Sequence, residues 1–420
     1  MGEIFTGIDI GTTKISFVRG EIKNGKFDIS FLRSYPCSGL KKGKIVDMES
    51  LISSIKKSLK DVEDNLKVKV KKAFVCSSGS EVQGVYSTAA VKIRKKEIRD
   101  SDVDLVIESA TAVEIPPDRQ VVHILPVEFI VDGVDGIKDP IGMKGLRLEA
   151  KVYIVTASAN HIQNLISCCS KAGIEVEDFV LQSIASAEAT LTEYDKEIGT
   201  MVVDIGGGST DIAVFYDGYL RHVAVFGIGG NHITSDLAIG LKIPFHEAER
   251  IKIQFGVALP DINFGSLKFQ ENEKDIEIIG VDKKPAKVSQ SVLKEIIYAR
   301  CEEILEFLKK EISGIDVSVS SIVFTGGTSL MRGFIPLAEG FLSIPARIGN
   351  SDSGIITACS ELGLNEGFEQ AEPLYESFGP ELASAVGALI YAVKSKYFQA
   401  DLSSGMFGKI KSLIKNFIKI

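Results

Sequence analysis

The sequence predicts an α/β fold of two related halves, each interrupted by a smaller inserted domain. Strand and helix patterns alternate along most of the 420 residues, as is typical of sheets covered by helices. Similar segments also recur at nearly one spacing. Asp9 and Asp204 stand 195 positions apart, and the Ala-Ser-Ala runs that begin at Ala185 and Ala383 stand 198 apart. Two pairs with almost the same spacing indicate an internal duplication.

Each half is predicted to begin with strands and to become richer in helices. In the first half the predicted elements are strands 4–10, 15–20 and 27–35, helix 47–65, strands 69–76 and 84–94, helix 101–113, strands 120–131 and 146–156, and helix 160–172. In the second half they are strands 200–205, 210–216 and 219–225, helices 231–240, 245–255 and 288–312, short strands within 262–287, strand 321–325, a helix after Ser329 and helix 381–394.

These patterns also set the expected domain boundaries. The first-half core is expected to comprise residues 1–81, 159–198 and 381–396, with an inserted domain at 82–158. The second-half core is expected to comprise residues 199–229 and 301–380, with an inserted domain at 230–300. Its segment 351–380 is rich in Gly, Ser and Glu and is interpreted as surface loop. Residues 397–405 are interpreted as a linker.

Composition excludes several classes of protein. Hydrophobic residues make up 45% and charged residues 25%, which is ordinary for a folded chain. The net charge of −8 disfavours nucleic acid as a partner. No apolar run is long enough to span a bilayer, and the amino terminus lacks the pattern of a secretion signal, so we expect a protein of the cell interior. The six cysteines show no CxxC spacing, which argues against a zinc or disulfide framework.

Two glycine turns are predicted to hold the phosphates of a nucleotide. Each follows a strand that ends in Asp, and each carries hydroxyl residues. Glycine lets backbone N–H groups approach phosphate oxygens closely. The candidate contacts are Gly11, Thr12, Thr13, Lys14, Gly206, Gly207, Gly208, Ser209 and Thr210. Asp9 and Asp204 are expected to hold Mg²⁺ through water, because this ion keeps much of its hydration. A plain hairpin would explain one such turn, but two at the repeat spacing favour a triphosphate site.

A third glycine turn, at Gly326 and Gly327, follows strand 321–325 and is expected to open a helix. Backbone N–H groups at a helix amino terminus can meet a ribose or a phosphate. This turn is therefore the candidate nucleoside contact.

The order of these motifs resembles the ATPase superfamily of actin, sugar kinases and large heat-shock chaperones, whose two halves have ribonuclease-H-like cores. Within it, the chain is most similar to the FtsA family of bacterial cell-division ATPases. The matching segments are 9–15, 185–189, 202–211, 229–237 and 248–252, together with the carboxyl-terminal tail.

The resemblance implies ATP and Mg²⁺ bound between the halves, with Glu249 and Lys252 at the adenosine and Gln182 positioning a water molecule. Thr328 stands where the family usually has a third glycine, which bears on how closely the nucleotide approaches. The resemblance also implies that the insert at 230–300 binds the carboxyl-terminal peptide of the tubulin-like protein FtsZ, and that the chain assembles into filaments. Any ATP hydrolysis is expected to be slow or regulatory.

The carboxyl-terminal tail, residues 406–420, is predicted to be a basic amphipathic helix. Lysines including Lys411 and Lys415 occupy one face, and the other face carries Phe407, Ile410, Leu413, Ile414, Phe417 and Ile418. Such a helix binds in the plane of an anionic membrane. Docking on the protein body is the alternative. We expect a peripheral protein on the cytoplasmic face of the cell membrane, at the division site.

Three other functions stay open at this point. A membrane-associated ATPase of the pilus-assembly type would share the nucleotide motifs. A sugar-kinase-like phosphotransferase would need a catalytic carboxylate and a substrate pocket that the sequence does not reveal. A chaperone would need a long region after the second Ala-rich helix, and only about 25 residues follow it.

Overall fold

The computed structural model describes residues 2–79, 81–94, 97–259, 275–366 and 378–401. Its first part consists of β1 (Glu3–Ile10), β2 (Lys14–Lys23), β3 (Lys26–Pro36), β4 (Leu40–Lys41), β5 (Lys44–Ile45), α1 (Met48–Leu66), β6 (Lys72–Ser77), β7 (Gln83–Lys92), α2 (Asp100–Thr111), β8 (Arg119–Val131), β9 (Val134–Ile137), β10 (Arg147–Ser158), α3 (Ala159–Ala172), β11 (Glu175–Leu181), α4 (Gln182–Thr190) and α5 (Glu193–Ile198).

The remaining part begins with β12 (Thr200–Ile205), β13 (Thr210–Tyr216), β14 (Tyr219–Phe226), α6 (Gly230–Leu241), α7 (Phe245–Phe255), β15 (Asp275–Ile279), β16 (Pro285–Ser289) and α8 (Gln290–Ser313). It continues with β17 (Ser321–Thr325), a 3₁₀ turn (Gly327–Leu330), α9 (Phe334–Leu342), β18 (Ala346–Ile348), α10 (Asp352–Glu361), β19 (Asn365–Glu366), a second 3₁₀ turn (Pro380–Leu382) and α11 (Ala383–Asp401).

The two principal sheets repeat one topology. The first has the order β3-β2-β1-β6-β11, with β19 added beside β3, and the second has the order β14-β13-β12-β17-β18. In each sheet the first three strands are antiparallel neighbours, and the last two are added in parallel. The duplication predicted from the paired motifs is therefore confirmed. One glycine turn joins β1 to β2, and the other joins β12 to β13.

The inserts have folds of their own. In the first, a four-stranded sheet of order β7-β10-β8-β9 is packed against α2 around a separate apolar core. In the second, α6, α7 and α8 accompany the two-stranded sheet of β15 and β16. Among the helices that the structure describes, none is long and apolar enough to cross a membrane.

The two Ala-rich helices cross very closely. Ala185 of α4 and Ala383, Ala385 and Ala388 of α11 are fully buried. A Cβ atom placed on Gly387 would lie only 1.7 Å from the carbonyl oxygen of Ala185. Small side chains let helix axes approach in this way. α4 and α11 thereby bring the strands of the two phosphate turns together at one crossing.

Three predictions about this region are wrong. Residues 352–361 form helix α10 rather than loop, because its Gly and Ser residues serve close packing: a Cβ on Gly354 would lie 2.2 Å from the backbone oxygen of Glu188. Residues 365–366 then pair with β3, so this segment joins the first half and not the second. Helix α11 also continues to Asp401, through part of the expected linker.

Lys394 of α11 holds α4 and α10 in place with 2.7 Å ion pairs to Glu188 and Glu361.

Strand β11 and helix α5 were not predicted. The acidic residues of β11 obscure its alternation, although its side chains from Asp178 to Leu181 are buried beside β6. Helix α5 is only six residues long and depends on a capping box between Thr192 and Asp195.

Candidate functional site

A cavity of about 440 Å³ lies between the two halves, where the glycine turns face each other. Nearly every residue predicted to contact the nucleotide lines it. These are Asp9, Gly11, Thr12, Thr13, Lys14, Gln182, Asp204, Gly206, Gly207, Gly208, Ser209, Glu249, Lys252, Gly326 and Gly327. Residues 195 positions apart in the sequence thus meet at one site.

The two phosphate turns are closed by equivalent backbone hydrogen bonds. In the first, the N–H of Gly11 donates to the carbonyl of Lys14 at 2.9 Å, and in the second the N–H of Gly206 donates to the carbonyl of Ser209 at 2.9 Å. The turns also touch: a Cβ on Gly207 would lie 2.4 Å from Thr13 Cγ2, and one on Gly208 would lie 2.3 Å from Thr12 Oγ1. Glycine is required here by the close approach of the opposite turn.

Each strand-end aspartate is held by a serine of an Ala-Ser-Ala run. Ser384 Oγ of α11 donates to Asp9 Oδ2 at 2.8 Å, and Ser186 Oγ of α4 donates to Asp204 Oδ2 at 2.5 Å. Both carboxyl groups are buried, with 3% and 2% of their residues' surface exposed. Sequence reasoning assigned these serines no role, although their repetition at the duplicated position was a usable signal.

The buried carboxyl groups are close enough to affect one another. Burial raises the pKa of Asp9 above its ordinary value. Burial also raises the pKa of Asp204 to about 6, and the charge of Asp9 adds to this effect. Asp211, opposite Asp204 on β13, has its pKa raised to about 8 by burial and then by Asp204. A divalent cation beside Asp9 and Asp204 would relieve this repulsion, so the donor set fits Mg²⁺.

Glu249 and Lys252 stand on one face of α7. Their side chains form an ion pair of 2.7 Å, and Lys252 Nζ also donates to Thr234 Oγ1 at 2.9 Å and to the carbonyl of Gly230 at 3.3 Å. Lys252 is thereby held against the first turn of α6. Both residues border the cavity near the third glycine turn.

The third glycine turn differs from its prediction. It opens a 3₁₀ turn, and the α-helix α9 begins only at Phe334. Gly326 has a φ of +82°, a conformation that favours glycine. The hydroxyl of Thr328 donates to the carbonyl of Gly206 at 3.1 Å, so this residue ties the third turn to the second phosphate turn.

Thr210 is the one predicted contact in the described chain that does not line the cavity. It is fully buried, and its hydroxyl donates to the carbonyl of Ile228 at 2.8 Å. Its side chain is buried at the start of β13, so its contact with a nucleotide stays a prediction. The predicted membrane contacts Phe407, Ile410, Lys411, Leu413, Ile414, Lys415, Phe417 and Ile418 lie outside the described residues.

Lys14 and Gln182 make contacts that sequence reasoning did not foresee. The ammonium group of Lys14 donates to the backbone carbonyl of Glu381, just before α11. Gln182, the first residue of α4, has its side chain hydrogen-bonded to the Asp204 carboxyl. Both residues therefore link the phosphate turns to the crossing helices.

Comparisons with known proteins agree with this architecture. A family model described as cell division protein FtsA matches residues 201–387, and a model of the SHS2 domain inserted in FtsA matches residues 79–156. Cell division protein FtsA of Pseudomonas aeruginosa is 37% identical over 353 residues, covering 83% of each chain. The same protein of Borreliella burgdorferi is 36% identical over 401 residues, covering 94% of this chain and 92% of the relative.

Solved structures share the fold at low sequence identity. The PilM–PilN type IV pilus biogenesis complex superposes with a TM-score of 0.60 at 15% identity, covering 92% of this chain and 98% of that one. MreB5 of Spiroplasma citri bound to ADP superposes with a TM-score of 0.54 at 13% identity, covering 95% and 99%. These likenesses establish the actin-like ATPase fold. The sequence identity, in contrast, lies with one family across most of the chain, and this protein therefore belongs to the FtsA family of cell division proteins.

Proposed function

We propose that this protein binds ATP with Mg²⁺ in the cleft between its halves and tethers a division scaffold to the cytoplasmic face of the cell membrane. The observation that carries the nucleotide proposal is the pair of facing glycine turns, each with a buried aspartate beside it. Two such turns in contact offer backbone N–H groups from both sides, as a chain of phosphates requires.

Different residues of the site are proposed to bind different parts of the ligand. The turns at Gly11–Lys14 and Gly206–Ser209 would supply N–H and hydroxyl donors to the phosphates, and Asp9 and Asp204 would hold Mg²⁺ through water. When bound, Mg²⁺ would offset phosphate charge. Gln182 would orient a water molecule from its position at Asp204. Because that amide already bonds to the carboxyl group, we expect hydrolysis to be slow.

The adenosine is proposed to lie near α7 and the third glycine turn. Lys252 is fixed by three contacts and therefore presents a stable surface to a nucleoside. Gly326 and Gly327 allow close approach of the ligand from the opposite side.

The proposed protein partners are the carboxyl-terminal peptide of FtsZ and further copies of this chain in a filament. Large apolar side chains are exposed on the second insert, which supports a binding surface there: Ile239, Phe245, Ile279, Val281 and Val292. Exposed apolar side chains mark such sites where they lie together on one surface.

The proposed membrane anchor is the tail at 406–420. Helix α11 supports its connection to the nucleotide site, because Ser384 at the start of α11 contacts Asp9 and the helix leads toward the tail. A single short amphipathic segment binds weakly, and a filament would present many of them at once.

Flotation with liposomes tests the anchor. The full chain should float with vesicles that contain anionic lipid, and a chain that ends at Gly405 should remain at the bottom of the gradient. Reversing charge with K411E/K415E in the full chain keeps the apolar face. Since each lysine contributes about 1 kcal/mol at such a surface, this variant should lose at least tenfold in binding.

Neutral vesicles and the truncated chain serve as controls in the same gradient. Equal flotation of the full and truncated chains would remove the anchoring proposal. Equal flotation of the full chain and the charge-reversal variant would show that lysines do not contribute to it.

A further inference from the structure

Ser78 is a buried serine at the cavity that none of the motifs includes. It follows β6, lines the cavity, and has only 3% of its surface exposed. Its hydroxyl lies beside the Asp211 carboxyl, to which it can donate, and the described structure gives the hydroxyl oxygen no other hydrogen bond. A hydroxyl can donate one hydrogen bond and accept others, so this group can serve a ligand in the cavity as well as the carboxyl.

The surroundings of Ser78 place it at the phosphate turns. The N–H of Gly43, at the tip of the β4–β5 hairpin, donates to Thr12 Oγ1 at 3.2 Å. A Cβ on Gly43 would lie 3.1 Å from Ser78 Oγ and 3.7 Å from Ser209 Cβ. Ser78 therefore lies beside the hairpin tip that contacts Thr12 of the first phosphate turn and approaches Ser209 of the second. The contacts of Lys252, in contrast, are made with a separate group around Gly230 and Thr234.

The neighbouring Asp211 carboxyl can accept a hydrogen bond from Ser78. Its Oδ1 is buried and has no other hydrogen bond among the described residues. Ser78 lines the cavity and Asp211 does not, so the serine stands between that carboxyl and the ligand space. A serine hydroxyl rotates freely and can donate in either direction.

We propose that the Ser78 hydroxyl binds the terminal phosphate of the bound nucleoside triphosphate, and so distinguishes triphosphate from diphosphate. The inference rests on the proposed function, because it needs a nucleotide in the cleft. Without a terminal phosphate the hydroxyl turns toward Asp211, and with one it donates to a phosphate oxygen. A hydrogen bond to a charged group contributes about 1.5–3 kcal/mol.

The test compares two ligands on the full chain in the presence of Mg²⁺. ADP and an ATP analogue with an imido bridge between its last two phosphates are titrated calorimetrically. Ser78→Ala should weaken binding of the analogue at least tenfold and leave ADP affinity within about twofold. Retained ADP binding also shows that the variant is folded.

Ser351→Ala is the matched control. Ser351 is another fully buried serine, its hydroxyl makes no hydrogen bond in the described structure, and it lies outside the cavity. It should change neither affinity. If the ratio of the two affinities is the same in Ser78→Ala as in the unmodified chain, the inference is overturned while the proposed function stands. Failure of the unmodified chain to bind either nucleotide would overturn the proposed function and the inference with it.

Discussion

Replacing Gly387 with alanine should destabilise the protein by about 3 kcal/mol or more. The added Cβ would lie 1.7 Å from the carbonyl oxygen of Ala185, which is backbone and cannot rotate away. Helices α4 and α11 would therefore have to separate along their whole crossing. Intrinsic helix propensity acts in the opposite direction, because alanine is favoured over glycine by about 1 kcal/mol in a helix. A net loss consequently reports the clash alone.

The measurement is the midpoint of guanidinium denaturation. Gly240→Ala on α6 is the control, because a Cβ there would meet only the terminal carbon of the Ile296 side chain, at 3.1 Å. The free energy of unfolding of this control, derived from its midpoint, should stay within about 1 kcal/mol of that of the unmodified chain. If both variants denatured at the same concentration, the close crossing of the Ala-rich helices would be contradicted.

Replacing Asp211 with asparagine should stabilise the nucleotide-free protein, and increasingly so as the pH rises. The native pKa is raised from 3.8 to about 8, so the native state binds this proton more tightly than the unfolded state does. The resulting stability is fully present below pH 3.8 and is lost as the pH rises through about 8. Asparagine carries no charge and escapes this loss. Its amide oxygen can still accept the hydrogen bond that Ser209 donates at 2.9 Å.

Denaturation midpoints at pH 5 and pH 9 should therefore diverge between the two chains. The advantage of the variant should grow on the order of 3 kcal/mol across this range. Asp135→Asn, at an exposed position, should follow the unmodified chain at both pH values. Parallel curves for Asp211→Asn and the unmodified chain would contradict the burial of an ionisable carboxyl group beside Asp204. Such a group lowers stability and is typical of a functional site.

The duplication could be read from the sequence because it repeats motifs with a fixed chemistry. An Asp at the end of a strand followed by a glycine turn has few structural solutions, so Asp9 and Asp204 predicted both the twin sheets and the cleft. The Ala-Ser-Ala runs marked the same duplication. Residue types alone were sufficient to predict the structure where the backbone makes an unusual turn, as at the two glycine turns.

Long-range hydrogen bonds could not be read in the same way. Ser384 and Asp9 are 375 positions apart, and nothing local to either residue indicates that one holds the other. Helix α10 was missed because its Gly and Ser residues, which usually signal a loop, serve close packing against α4. Thr210 shows the converse, since a hydroxyl beside a phosphate turn can also hydrogen-bond within the sheet.

The decisive experiment is a crystal structure of the full chain grown with Mg²⁺ and the imido analogue of ATP. We expect one nucleotide between the halves, with its phosphates between Gly11–Lys14 and Gly206–Ser209, its nucleoside near Lys252, and the cation beside Asp9 and Asp204. Nucleotide density elsewhere on the protein, or a cleft that stays empty at saturating ligand, would contradict this expectation.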